Sequence, residues 1–77
     1  MSKLKRAIQE MPDFVEDALS KRLLKTAYAA RPPYQRNDYL SWINRAARDA
    51  TKQKRLNQML QELEDGGFYM GMIWNSK

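Results

Sequence analysis

The sequence predicts an all-α fold, a small bundle of four to five short helices with an apolar C-terminal segment packed on it. Three observations carry this. Apolar residues recur at helical spacing along the chain, most cleanly at Leu56, Met59, Leu60 and Leu63. Pro12, the Pro32-Pro33 pair and the Gly66-Gly67 pair cut the chain into helix-length pieces. Nothing reads as a convincing strand pair. At 77 residues the chain is one domain, 1–77, near the lower limit for a self-sufficient core.

Residues 1–11 come first, with Leu4, Ala7, Ile8 and Met11 at i, i+3, i+4 and i+7. They suit a short amphipathic helix or, without a strong cap, a frayed start. The helical core spans 12–67. Pro12-Asp13 is a helix-start signal, and Asp13, Glu16 and Asp17 favour the positive end of the helix dipole. Phe14, Val15, Ala18 and Leu19 give that helix its apolar face. Ser20 could cap a second helix whose apolar positions are Leu23, Leu24, Ala27 and Tyr28; one bent helix over 13–30 is the alternative.

Arg31-Pro32-Pro33 ends that element, because proline disfavours helical geometry in the residue before it. Pro33 then suits the first turn of the next helix. Arg36, Tyr39, Leu40, Ile43, Ala46 and Ala47 follow its 3.6-residue period, with Trp42 on the flank. Asp49 is the expected N-cap of the last helix, and Asp65-Gly66-Gly67 its stop. The tail, 68–77, holds Phe68, Tyr69, Met70, Met72, Ile73 and Trp74. An exposed tail of this kind would be a sticky patch, so it is expected to fold back on the helix bearing Trp42.

Composition removes whole classes of chemistry. The chain has no Cys and no His, which excludes disulfides, zinc fingers and His- or Cys-based catalysis. The remaining acids and bases form no obvious pair, and so small a bundle has little room to enclose a substrate. No enzyme activity, catalytic residue, cofactor or metal is expected. No apolar run approaches the length of a membrane span, and the basic start lacks the apolar stretch of a secretory signal. The expected compartment is the cytoplasm. The net charge of +5 is uneven: Met1 to Arg55 holds thirteen cations against six acids, and Leu56 to Lys77 one cation against three. A basic body of this kind attracts nucleic acid, anionic lipid or an acidic protein, or simply keeps a small domain in solution.

Met11-Pro12-Asp13 followed by Ala18-Leu19, then Pro32-Pro33, Arg36, Tyr39, Trp42-Ile43, Ala46, Thr51-Lys52, Arg55-Leu56 and Gly66 form a recognisable series. From Pro12 to about Gly67 the chain resembles the bacterial YdeI/OmpD-associated family, also called bacteriocin-protection proteins. The spacing between Trp42-Ile43, Thr51 and Arg55 is its most specific part. The chain departs from the family pattern at Ala47, where Lys is frequent, at Ala50, where Glu is frequent, and at Lys52, where Arg is usual. The resemblance implies a helical domain linked by name to envelope association or bacteriocin tolerance. In such proteins this region often follows another domain, so an accessory or partner-binding module is expected.

Trp42, Arg45, Arg48, Lys52 and Arg55 are the candidate interaction surface, four cations at spacings of three, four and three beside an aromatic ring. Arg55 is also a candidate bridge between helices through an acid such as Asp38 or Asp17. Tyr39, Ile43, Ala46, Thr51, Leu56, Leu60, Leu63 and Gly66 are the structural candidates. Lys52, Lys54 and Arg55 sit near the positive end of the last helix, against its dipole. The expected role is non-enzymatic protein–protein interaction with a partner whose identity the sequence does not give. A basic nucleic-acid-binding module is the alternative, and self-association is a further outcome.

Overall fold

The structure, a computed structural model, describes residues 9–75. Four helices and one hairpin follow in chain order: α1 (Asp13–Lys21), α2 (Lys25–Ala29), α3 (Pro33–Asn44), α4 (Asp49–Asp65), β1 (Phe68–Tyr69) and β2 (Met72–Ile73). The fold is therefore mainly helical but not purely all-α. The segment expected to be an apolar tail is an antiparallel hairpin, with Phe68 opposite Ile73 and Tyr69 opposite Met72. The expectation for the first eight residues lies outside the described ones; Met11, next to them, packs partly buried against the core.

The stretch 13–30 is two helices. Its break is a Schellman turn, in which Leu24 N–H donates to Leu19 C=O and Leu23 N–H to Ser20 C=O. Leu23 takes the left-handed conformation at φ 58°, where glycine is usual, and points into solvent at 87% exposure. This corrects its expected place on an apolar face. Leu24, one residue on, turns inward and is buried. Ser20 is an interior residue of α1 and caps nothing; α2 starts five residues later.

Pro32 precedes α3 and Pro33 opens it, as proline geometry demands. Gln35, Tyr39, Leu40 and Ile43 form its buried face. The helix stops at Asn44, so Ala46 is buried from the connecting turn and Ala47, expected on the face, is exposed. Asp49 is a first-turn acid of α4 rather than its cap, which is Arg48. Leu56, Met59, Leu60 and Leu63 are buried as their spacing predicts, and Gly66 closes α4 in the left-handed conformation at φ 84°. Thr51 is half-buried.

The core is built by helices alone: Val15 and Leu19 of α1, Leu24, the α3 residues Tyr39, Leu40 and Ile43, and the four apolar residues of α4. Among the described residues no helix is long and apolar enough to cross a membrane. Two exposed ion pairs, Arg22 with Glu64 and Lys25 with Glu16, link α1 to α4 and α2 to α1. Exposed pairs of this kind stabilise little, so apolar burial dominates.

Two substitutions test this account. Leu60→Ala should cost about 2–5 kcal/mol, because the side chain is buried against a tight core. A thermal melt within a degree or two of the parent would show that α4 docks by another face. Leu23→Gly should instead raise the melting temperature, since it removes a left-handed strain of about 1 kcal/mol and gives up almost no packing.

Candidate interaction site at the hairpin and the α3–α4 corner

The last four carbonyls of any helix lack partners within it. In α3 these belong to Ser41, Trp42, Ile43 and Asn44, and all four are satisfied. Arg45 N–H donates to Ser41 C=O at 3.0 Å and Ala46 N–H to Ile43 C=O at 3.2 Å. The other two are taken by side chains of α4: Arg55 Nη1 donates to Trp42 C=O at 2.6 Å and Lys52 Nζ to Asn44 C=O at 3.2 Å. The Arg55 guanidinium also lies over the Trp42 ring, 5.3 Å from its centroid. These cations oppose their own helix dipole because they complete the negative end of the neighbouring one. Arg55 thus bridges two helices as expected, but through a carbonyl rather than Asp38 or Asp17.

The candidate surface is accordingly split. Trp42, Lys52 and Arg55 come together half-buried, whereas Arg45 and Arg48 are exposed in the α3–α4 turn. Trp42 and Arg45 also border a cleft of about 390 Å³, lined further by Gln9, Asn37, Asp38, Ser41 and Met70. Met70 brings the hairpin to the edge of this cleft.

The hairpin turns through Met70 and Gly71, both at positive φ (53° and 80°), the geometry of a two-residue turn matching strand twist. Such a turn leaves two adjacent amides unpaired, and strands this short have little stability alone. Glu62 supplies the missing acceptor. Its Oε1 accepts Met70 N–H at 2.8 Å and the Tyr39 hydroxyl, and its Oε2 accepts Gly71 N–H at 2.7 Å and Gln58 Nε2–H at 3.1 Å. Burial alone would push this carboxyl up, but the bonds from Tyr39, Gly71, Met70 and Gln58 outweigh it and hold the group below the ordinary glutamate range. Tyr39 moves the other way: its own burial and the adjacent carboxylate push its hydroxyl well above the usual tyrosine range.

Arg31 fastens the far end. It is 4% exposed, donates from Nη2 to Glu62 C=O at 3.0 Å and from Nη1 to Gln35 Oε1 at 3.1 Å, and lies 4.5 Å from the Trp74 ring centroid. Tyr69 packs edge-on against Tyr39 and Tyr34, and its hydroxyl donates to Asp38. Tyr69 and Trp74 therefore form an inner face on the bundle. Phe68 and its partner Ile73 share the outer face, 38% and 82% exposed, and Met72, opposite Tyr69 beside the turn, is 58% exposed. The expected fold-back holds for half of the tail's apolar residues and fails for the rest.

Glu62, Arg31 and Gln35 were not singled out from sequence. Glu62 looks like one more acid of a solvated helix end, and only the position of the turn amides shows its role. Arg31 carried a faint signal, its place before two prolines, which fixes the chain direction but not the burial of the guanidinium.

The sequence model of the family described as bacteriocin-protection, YdeI or OmpD-associated matches residues 9–66. The chain belongs to this family. The match ends at Gly66, so it covers the four helices, the α3–α4 corner, Arg31 and Glu62, and stops before the hairpin that Glu62 holds. No curated protein and no solved structure matches the chain.

Arg31→Ala should lower stability by about 2–4 kcal/mol, since it strips a buried carbonyl and the Gln35 amide of a charged donor and uncovers Trp74. A thermal melt checks it. A loss below 0.5 kcal/mol would mean that water replaces the guanidinium without cost.

Proposed function

We propose that this domain is a non-enzymatic protein–protein interaction module, with the outer face of the hairpin as its contact surface. The observation that carries the reading is the exposure of Phe68 and Ile73, side by side on a hairpin whose inner face is fastened by Glu62, Arg31 and Asp38. Apolar side chains held rigidly in solvent are the ordinary material of interface centres. Membership of the bacteriocin-protection, YdeI or OmpD-associated family is in keeping with this reading and leaves the partner unnamed. The half-buried Trp42 with exposed Arg45 and Arg48 lies at the other end of α3 and is kept as a secondary contact.

The alternative, a basic module for nucleic acid, rests on the strip of Arg45, Arg48, Lys52 and Arg55. Lys52 and Arg55 are engaged by carbonyls of α3, which leaves two of the four head groups to meet phosphate. That number favours the protein reading over the phosphate one.

The double variant Phe68→Ser/Ile73→Ser separates the two. Both side chains lie on the exposed outer face and outside the core cluster, so its melting temperature should stay within a few degrees of the parent. In a tagged capture from the native cell, with nuclease present, it should lose a protein that the parent retains. Fluorescence anisotropy with a short labelled duplex and a single strand covers the alternative. Binding by the parent at low salt that falls steeply with salt, and vanishes in Arg45→Glu/Arg48→Glu, would replace the protein reading with the nucleic-acid one.

A further inference from the structure

The core and the hairpin are held by different physics. Every residue of the fully buried apolar cluster comes from α1, α3, α4 or the α1–α2 turn. The hairpin adds only Tyr69 and Met70, partly buried, at its margin. What fixes it is largely polar: two turn amides on Glu62, the Tyr69 hydroxyl on Asp38, and Arg31 against Trp74, beside the edge-on packing of Tyr69 on Tyr34 and Tyr39. Releasing the hairpin therefore exposes the Tyr39 ring but leaves the apolar contacts among the helices in place.

We propose that residues 67–75 form an acid-releasable strap, which protonation of Glu62 detaches while the four helices persist. The geometry around the carboxylate gives the reason. Each oxygen accepts two donors, Tyr39 O–H and Met70 N–H on one, Gly71 N–H and Gln58 Nε2–H on the other. A proton added to either oxygen removes the negative charge and needs an acceptor, which the Tyr39 hydroxyl or the Gln58 amide can become by turning but the Met70 and Gly71 amides cannot. Both hairpin amides then exchange a charge-assisted bond to an anion for a weaker one to a neutral carboxyl, and the hairpin, the least buried element, is the one that can leave.

The surrounding charges fix the direction. From α3, Tyr39 faces the carboxylate as a neutral donor; from the α2–α3 turn, Arg31 places its cation at the Glu62 carbonyl. From α4 itself the neighbour is the uncharged Gln58. The hairpin contributes amides, and its one ionisable side chain, Tyr69, is turned to Asp38. Nothing among these disfavours the anion except burial, which the four bonds outweigh, so Glu62 ionises more readily folded than unfolded. A carboxyl lowered by folding gives its full contribution above the unfolded value, about 4.3, and loses it as pH falls through the lower folded value. The strap is closed at neutral pH and opens below the ordinary glutamate range. Its opening uncovers Tyr39 and the end of α4.

Amide hydrogen exchange, normalised for intrinsic rates, reads the strap directly. From pH 6 down to pH 3 the protection of Met70, Gly71 and Trp74 should fall by at least about tenfold, a change of 1.4 kcal/mol, while Leu60 keeps its protection. Glu62→Gln should show the open values already at pH 6 and lose the pH dependence. Loss of protection at the hairpin and at Leu60 together would overturn the proposal, because the hairpin would then be part of one cooperative unit. So would a folded Glu62→Gln variant with the parent's protection at pH 6. If that variant does not fold, the titration of the parent alone decides. The outcome is independent of what the outer face binds, since no partner is present.

Discussion

The join between the hairpin and the helices depends on one buried carboxylate. Glu62 sits three residues before the end of α4, where its carbonyl and its carboxylate serve different neighbours. The carbonyl accepts Gly66 N–H at 2.8 Å, which closes the helix, and Arg31, which anchors the α2–α3 turn. The carboxylate accepts the hairpin turn and the hydroxyl of Tyr39, the largest fully buried side chain. Burying an anion costs several kcal/mol if it is left alone, so this residue is favourable only with all of its donors in place. That condition couples three separate parts of the chain. A small domain without disulfides gains from it what larger proteins gain from core volume.

The same economy explains the charges at the α3–α4 corner. Two cations placed badly for their own helix are well placed for the helix before it, and four terminal carbonyls are satisfied within one short turn. This bears on function as much as on stability. A head group that donates to a partly buried carbonyl at 2.6 Å would have to surrender that bond to reach a phosphate. Formal charge therefore overstates the basic surface on offer, and the exposed part of the strip reduces to Arg45 and Arg48.

The helices were legible because their signals are local. Prolines at the start of α1 and α3, Gly66 at the end of α4 and the apolar stripe of α4 each act through geometry within a few residues. The departures have equally local causes. The α1 terminus carries Leu23 where glycine would have announced the turn, so one helix or two stayed open. The hairpin turn is Met70-Gly71 rather than Asn-Gly, and its two-residue strands are too short to show alternation. Among the candidates, Tyr39, Ile43 and the α4 leucines are buried where periodicity put them. Glu62, Arg31 and Gln35 could not be found this way, because a buried polar residue is defined by partners distant in sequence.

The hairpin gives those hidden residues their consequence for recognition. Side chains alternate across it, so fastening Tyr69 and Trp74 inward necessarily turns Phe68 and Ile73 outward. A flexible apolar tail would lose conformational entropy on meeting a partner, of order 1 kcal/mol for each backbone residue fixed. Here the Glu62 clasp has already ordered the turn, and the outer side chains are presented in one arrangement. In the proposed reading, contact area on this face would contribute to affinity with less ordering cost. The energy that holds the inner face and the readiness of the outer face are thus two results of the same hydrogen bonds.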